Sequence, residues 1–150
     1  MTVVGSPGEL SAHIGETLGP TDWVEVAQDR IDLFADATGD HQWIHVDVER
    51  ATAGPFGAPI AHGYLTLSMV NLFLPDLLTV EGISLGVNVG LEKVRFPNPV
   101  RVGSRVRGHF KLLSYEPLDG GAQMTVQATI ELEGSSKPAC VADTVSRYFP

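Results

Sequence analysis

The chain has 150 residues, 43% hydrophobic and 19% charged, with 16 Gly, 10 Pro and one Cys, proportions that fit one compact domain over residues 1–150. A formal charge of −8, from 10 Lys plus Arg against 18 Asp plus Glu, sets the protein as a whole against nucleic acid and anionic lipid. One thiol excludes an internal disulfide; the longest apolar stretch, Tyr64 to Leu74, covers 11 residues against about 20 for a bilayer span; and the opening MTVVGSPGEL lacks the basic and apolar regions of an export signal.

A cytoplasmic protein with no membrane partner is therefore expected, and the lone Cys140 fits a reducing compartment. In chain order, an early strand is expected near Trp23 to Val26. Gln28 to Thr38 then places Ile31, Phe34, Ala35 and Thr38 at spacings of three and four, which predicts a helix of about three turns, and Gly39 follows as its C-terminal stop. A short helical candidate at Asp47 to Ala53 precedes Ala53-Gly54-Pro55-Phe56-Gly57-Ala58-Pro59, whose Gly and Pro content forbids regular structure. A second helix starts near His62. Its body, Tyr64 to Leu74, is apolar on nearly every side, the pattern of a helix surrounded by protein, and Pro75 stops it.

The second half reads as strands. Ile83, Leu85, Val87, Val89 and Leu91 alternate with smaller or polar residues, and the apolar phase switches to Val94 and Phe96, as a bulge near Glu92-Lys93 would cause. Pro97, Asn98 and Pro99 end that strand. Val106, Gly108, Phe110 and Leu112 then share one face, with Arg105, Arg107, His109 and Lys111 on the other. Leu118-Asp119-Gly120-Gly121 turns into the strictly alternating Ala122 to Leu132, and Gly134-Ser135-Ser136 into a last strand, Ala139 to Tyr148. Five strands are expected, the last four in meander order, in an antiparallel sheet with one wet face. A helix apolar all round followed by such a sheet implies an α+β architecture, the sheet curled around a central buried helix, which is the order and shape of the hotdog fold. Unpaired edge strands make a homodimer that joins two sheets edge to edge the economical assembly.

Six of the ten basic residues, Lys93, Arg95, Arg101, Arg105, Arg107 and Lys111, lie between positions 93 and 111 with no acid among them. That stretch is either a solvated strand face or a docking surface for a small polyanion, since the acidic remainder repels a long one. In Gly39-Asp40-His41-Gln42-Trp43-Ile44-His45, a carboxylate that only accepts and an imidazole that accepts and donates can orient one water and exchange its protons. The same spacing also suits an ordinary loop with a capping acid and a solvated His. Gly63, at the start of the second helix, offers a free backbone N–H to a ligand oxygen, or simply permits the turn from loop to helix. Tyr64, Ser68 and Asn71 form a polar stripe on that helix whose partners are either the Asp40-His45 loop or backbone carbonyls; for Ser68 the backbone is expected. Five His and one Cys show no metal-type spacing. His41 and His45 would share a helix face, but Gly39 and the loop context argue against a helix there.

Gly39-Asp40 with Ile44-His45, then Phe56 and Pro59-Ile60-Ala61-His62-Gly63-Tyr64-Leu65, then Val94-Arg95-Phe96-Pro97-Asn98-Pro99-Val100 and Gly103, together resemble the MaoC-like hydratases, R-specific enoyl-CoA hydratases of hotdog fold. The resemblance runs from about Trp23 to the C-terminus. It implies hydration of a trans-2-enoyl-CoA to the (R)-3-hydroxyacyl thioester without cofactor or metal, with Asp40 and His45 activating water and the Gly63 N–H polarising the thioester carbonyl. Asn71 falls where some members carry a helix Ser, and Gln42, Trp43 and Tyr64 become pocket candidates. Two departures stand out: Gln42-Trp43 replaces Asn-Pro, and Ser104 replaces an Asp that often follows the glycine. Arg95, Arg101 and Arg105 are the candidates for the phosphates of coenzyme A, or for an acidic acyl carrier protein. Three alternatives share the fold: a carrier-protein dehydratase, an acyl-CoA thioesterase and a non-catalytic partner subunit.

Overall fold

The computed structural model describes residues 1–150. The first helix, α1, spans Gln28–Thr38 and ends on Gly39 in the left-handed region at φ 81°, whose N–H donates to Ala35 O at 2.8 Å; this conformation strains any residue with a Cβ. Two short helices follow, α2 at Trp43–Val46 and α3 at Val48–Thr52, the latter capped by the Asp47 carboxylate, which accepts from Arg50 N–H. The apolar stretch after the Gly-Pro loop forms α4, Gly63–Ser68, and α5, Val70–Phe73, with a break at Met69. Pro75 sits in a closing 3-10 turn, Leu74–Asp76.

The main sheet contains β2 (Thr17–Leu18), β3 (Val24–Glu25), β5 (Leu85–Arg95), β6 (Arg105–Leu118), β7 (Gly121–Leu132) and β8 (Cys140–Phe149), while β1 (Thr2–Val4) and β4 (Leu78–Val80) form a separate parallel pair. The strands number eight rather than five, because the segments preceding Gln28 and following Asp76 form strands of two or three residues, too short to show a period. β6, β7 and β8 are a meander, but β5 is not part of it. It crosses over to pair antiparallel with β8, giving the order β2-β6-β7-β8-β5. Pro97 and Pro99 prevent a hairpin into β6, and the intervening segment instead packs Val100 into the core and bridges Arg101 to Ile60. The expected bulge at Glu92 is present, with a second at Val89.

Val106, Phe110 and Leu112 of β6 and Met124, Val126 and Ile130 of β7 are all buried, as their alternation requires. They pack against Leu65, Met69, Val70 and Phe73 of the central helices in one continuous core that also takes in Val4, Leu10 and Ala142. The helix is covered on this side only. Tyr64, Asn71 and Leu72 are exposed on the other side, since one sheet has one apolar face to offer. The β5 edge is likewise bare, with Leu85, Val87, Val89 and Leu91 exposed. No helix is long and apolar enough to cross a membrane.

Candidate active site

The Gly39 turn delivers Asp40 to the surface, where its Oδ1 accepts the N–H of Gln42 at 3.3 Å, a local bond that fixes the start of the loop. One turn of α2 then swings His45 inward until it is only 5% exposed. Its Nδ1–H donates to Ile60 O at 2.6 Å. A carbonyl can only accept, so Nδ1 carries the proton and Nε2 is left as a base. The backbone of His45 is held too: the Gln28 amide of α1 donates to His45 O at 2.8 Å, and Ile60 N–H donates to Ile44 O at 3.0 Å.

His62 completes the arrangement. It is 1% exposed, its ring lies on that of His45 with centroids 3.9 Å apart and planes 25° from parallel, and Phe34 packs against it at 4.9 Å. His62 Nε2–H donates to the Asp40 carbonyl at 2.9 Å, while Nδ1 is buried without a partner. One carboxylate oxygen of Asp40 and one ring nitrogen from each histidine lie within 4.8 Å of one another. Burial is the main cause holding the His45 imidazole below its ordinary pKa; His62 adds to it, against the raising effects of the Ile60 hydrogen bond and the Asp40 charge. His45 is thus neutral at pH 7, able to accept a proton, beside a carboxylate. Although Asp and His are metal-ligand types, imidazole lone pairs lie in the ring planes, and two stacked planes direct theirs side by side rather than to one ion. The cluster suits proton exchange better.

Gly63 follows His62 directly and opens α4, where the first N–H groups have no carbonyl a turn behind them. A Cβ added there would sit 3.3 Å from the Phe96 ring. From Tyr64 onward the helix borders a cleft of about 470 Å³, walled by Leu67, Asn71, Leu74, Val89 and Leu91. Asp40, His45 and Gly63 are not among its lining residues; Tyr64, the residue after Gly63 on α4, is. Asn71 accepts from Asn88, which in turn accepts from Ser146. Ser68 Oγ donates to Leu65 O at 2.8 Å, a backbone partner as expected. The Tyr64–Asn71 stripe is therefore a cleft wall rather than a buried stripe seeking partners.

Other candidates are placed elsewhere. Trp43 lies under the Arg50 guanidinium at 4.3 Å and against Gly54, so its ring anchors α2 to α3 and does not line that cleft. Gln42 is exposed and contributes its N–H to Asp40. On β6 two of the basic residues are paired across the sheet: Arg105 forms an ion pair with Glu133, just after β7, and Arg107 pairs with Glu131 while stacking on Trp23 at 4.3 Å. Glu131 faces Arg107 because β6 and β7 pair in this register, and Glu133 reaches Arg105 where its N–H donates to the Arg105 carbonyl just past that ladder. Arg105, one of the candidates for the carrier's phosphates, is thus held in an ion pair with Glu133. Arg95 lies with Lys93 and Asp143 on a depression of about 180 Å³ in the sheet surface. Arg101 donates from Nε to Phe56 O at 2.8 Å, and its backbone bridges Ile60, the residue that holds His45. His62 and Gln28 were not singled out from sequence. The available signal was His62 standing between the apolar Ile60-Ala61 and Gly63.

The model of the MaoC-like domain family matches residues 9–133. The chain is 54% identical over 149 residues to 3-hydroxyacyl-thioester dehydratase Z of Mycobacterium tuberculosis, covering 99% of each, and 43% identical over 151 residues to nodulation protein N of Rhizobium leguminosarum, covering 97% of this chain and 93% of that protein. Among solved structures, an Archaeoglobus protein described as a monoamine oxidase regulatory protein is 26% identical with a TM-score of 0.75, covering 91% of this chain and 90% of that one. The (R)-hydratase of A. caviae shares the fold at 21% identity and a TM-score of 0.69, covering 89% and 94%.

Proposed function

Because the chain belongs to the MaoC-like domain family of hotdog fold, a family of dehydratases and hydratases, we propose that it catalyses the reversible addition of water to a trans-2-enoyl-CoA, giving the (R)-3-hydroxyacyl thioester. The observation that carries this reading is the buried His45, its Nδ1–H on the Ile60 carbonyl, with a ring nitrogen within 4.8 Å of the Asp40 carboxylate. In the forward direction Asp40 and His45 hold one water. Its oxygen bonds to C3 as a proton passes to the pair, the C2–C3 π electrons shift toward the thioester, and the proton is returned to C2. Negative charge gathers on the carbonyl oxygen meanwhile, and the Gly63 N–H meets it. The (R) outcome follows from the resemblance to R-specific hydratases.

The cleft starting at Tyr64 offers the acyl chain an apolar wall of Leu67, Val89 and Leu91. For the carrier's phosphates we favour Arg101 of the three arginines, exposed and bridged to Ile60, whose carbonyl accepts from His45. A second copy pairing with the bare β5 edge would cover its exposed leucines and valines, and we read the active form as this homodimer, acting in the cytoplasm. Dehydration of a 3-hydroxyacyl group on acyl carrier protein is the second reading; the 54% identical relative's name gives the dehydratase direction and leaves the thioester carrier unspecified.

The test follows absorbance at the enoyl-thioester band with crotonyl-CoA and longer homologues, wild type beside His45→Ala. Loss of absorbance with the wild type alone supports the proposal. No change with any enoyl-CoA, but turnover of the carrier-protein thioester, moves it to the second reading; release of free thiol from saturated acyl-CoA would replace it with a thioesterase.

A further inference from the structure

The Asp40-His45 pair is assembled from two segments that make no direct hydrogen bond to each other's backbone at the reacting groups: Asp40 is in the loop after α1, and His45 is on α2. The side chain of His62 spans both. It reaches the Asp40 carbonyl through Nε2–H at 2.9 Å and covers the His45 ring at 3.9 Å. We propose that His62 is the positioning residue of this site, pinning the Asp40 loop with one nitrogen and holding the His45 ring face-on so that its Nδ1–H stays on Ile60 and its other nitrogen stays bare.

Three observations support this role. First, burial is nearly complete at both rings, so either imidazole tilting out of the stack would leave polar atoms without water. Second, the hydrogen bonds fix opposite tautomers: His45 donates from Nδ1 to Ile60 O and His62 donates from Nε2 to Asp40 O. Third, the remaining His62 nitrogen, Nδ1, is buried and unpartnered. With no second polar contact, the His62 ring is held by its one hydrogen bond and by its packing on His45 and Phe34. The titratable groups acting on His45 are His62, from the start of α4, and Asp40. From α1 the contact is Gln28, itself bonded to Asp32 and to His45 O. Replacing His62 therefore changes the electrostatics of His45 and the position of Asp40 together.

The proposal rests on the hydratase reading only for its kinetic arm. Imidazole nitrogens report it directly: one-bond and two-bond nitrogen–proton correlation spectra of histidine-labelled wild type should give His45 as the Nδ1–H tautomer and His62 as the Nε2–H tautomer across neutral pH. His62→Gln keeps an N–H donor for the Asp40 carbonyl but removes the ring; His62→Phe keeps a ring but removes the donor. In His62→Gln the His45 titration should move upward and kcat should fall about 10-fold or more with KM within about 2-fold, the pattern of misplaced reacting groups. In His62→Phe kcat should fall while the His45 tautomer persists. A wild-type His45 found as the Nε2–H tautomer would overturn the proposal without any variant. So would folded variants in which His45 titrates and turns over as in the wild type. If the wild type hydrates no enoyl thioester yet His45 responds to His62→Gln as described, the positioning role stands and the hydratase reading fails.

Discussion

Gly108 of β6 lies directly beneath Phe73 of α5: a Cβ on Gly108 would stand 2.7 Å from the Phe73 Cβ and 3.0 Å from its ring. The contact sets how closely the central helix approaches the sheet, and so where the start of that helix, with Gly63, meets the catalytic loop. Phe73 is fully buried and cannot swing away. Gly108→Ala should therefore cost about 1–3 kcal/mol of stability, read as a lower denaturant midpoint. Because the nearest atom is the Phe73 Cβ, Phe73→Leu in the same background should not recover it.

Asp40→Asn keeps the side chain's size and its acceptor for the Gln42 N–H but removes the basic carboxylate. Turnover should drop by about 100-fold or more with an unchanged circular dichroism spectrum and melting temperature, because Asp40 is exposed and outside the core. Hydration by Asp40→Asn at the wild-type rate would end the proposed mechanism.

The Gly63 N–H can be removed without breaking the helix. Gly63 is the first helical position, and His62 before it has φ −58° and ψ 140°, backbone angles that suit a residue preceding proline. Gly63→Pro should fold, yet lose roughly 100-fold or more in kcat if this N–H meets the developing oxyanion. Gly63→Ala retains the N–H and presses on Phe96 at 3.3 Å; its loss should be smaller and relieved by Phe96→Leu. Proline and alanine variants with equal kinetics would remove the N–H from the mechanism.

The arginines should separate by their partners. Arg101→Gln should raise KM for enoyl-CoA several-fold, and the effect should shrink as salt is added. Arg105→Gln should leave KM unchanged, since Glu133 already neutralises that guanidinium. Equal effects at both positions would point to a diffuse field rather than a phosphate site.

Acid should act on both rate and stability through His45. Its pKa in the folded protein lies below the ordinary value, chiefly from burial, so between the two values the unfolded chain binds the extra proton. Stability then rises with pH across that window, and on acidification it begins to fall near the ordinary histidine pKa of about 6.5. His41, raised by its hydrogen bond to Asp36, has the opposite sign: its contribution is present in acid and lost as pH rises. His41 is on the surface, so titrations in high salt should suppress its part and leave the His45 trend. kcat/KM should be level at neutral pH and fall in acid as His45 protonates. A His45→Gln variant with the same acid loss of stability would reassign the effect.

Local periodicity made the helix over Gln28–Thr38, its Gly39 stop, the β6 and β7 alternation and the bulge at Glu92 legible in the sequence, because each is decided by neighbours within one turn or one pleat. Asp40, His45 and Gly63 stand out as candidates for a similar reason: their residue types and their positions beside helix ends already limit the chemistry they can do. Tertiary structure alone decided that β5 pairs with β8, that Arg105 is answered by Glu133, that Trp43 turns to Arg50, and that His62 lies on His45 and holds Asp40. Those contacts join segments far apart in the chain, and the choice among competing partners is made by burial of the whole sheet and helix at once, a quantity that no short window of residues contains.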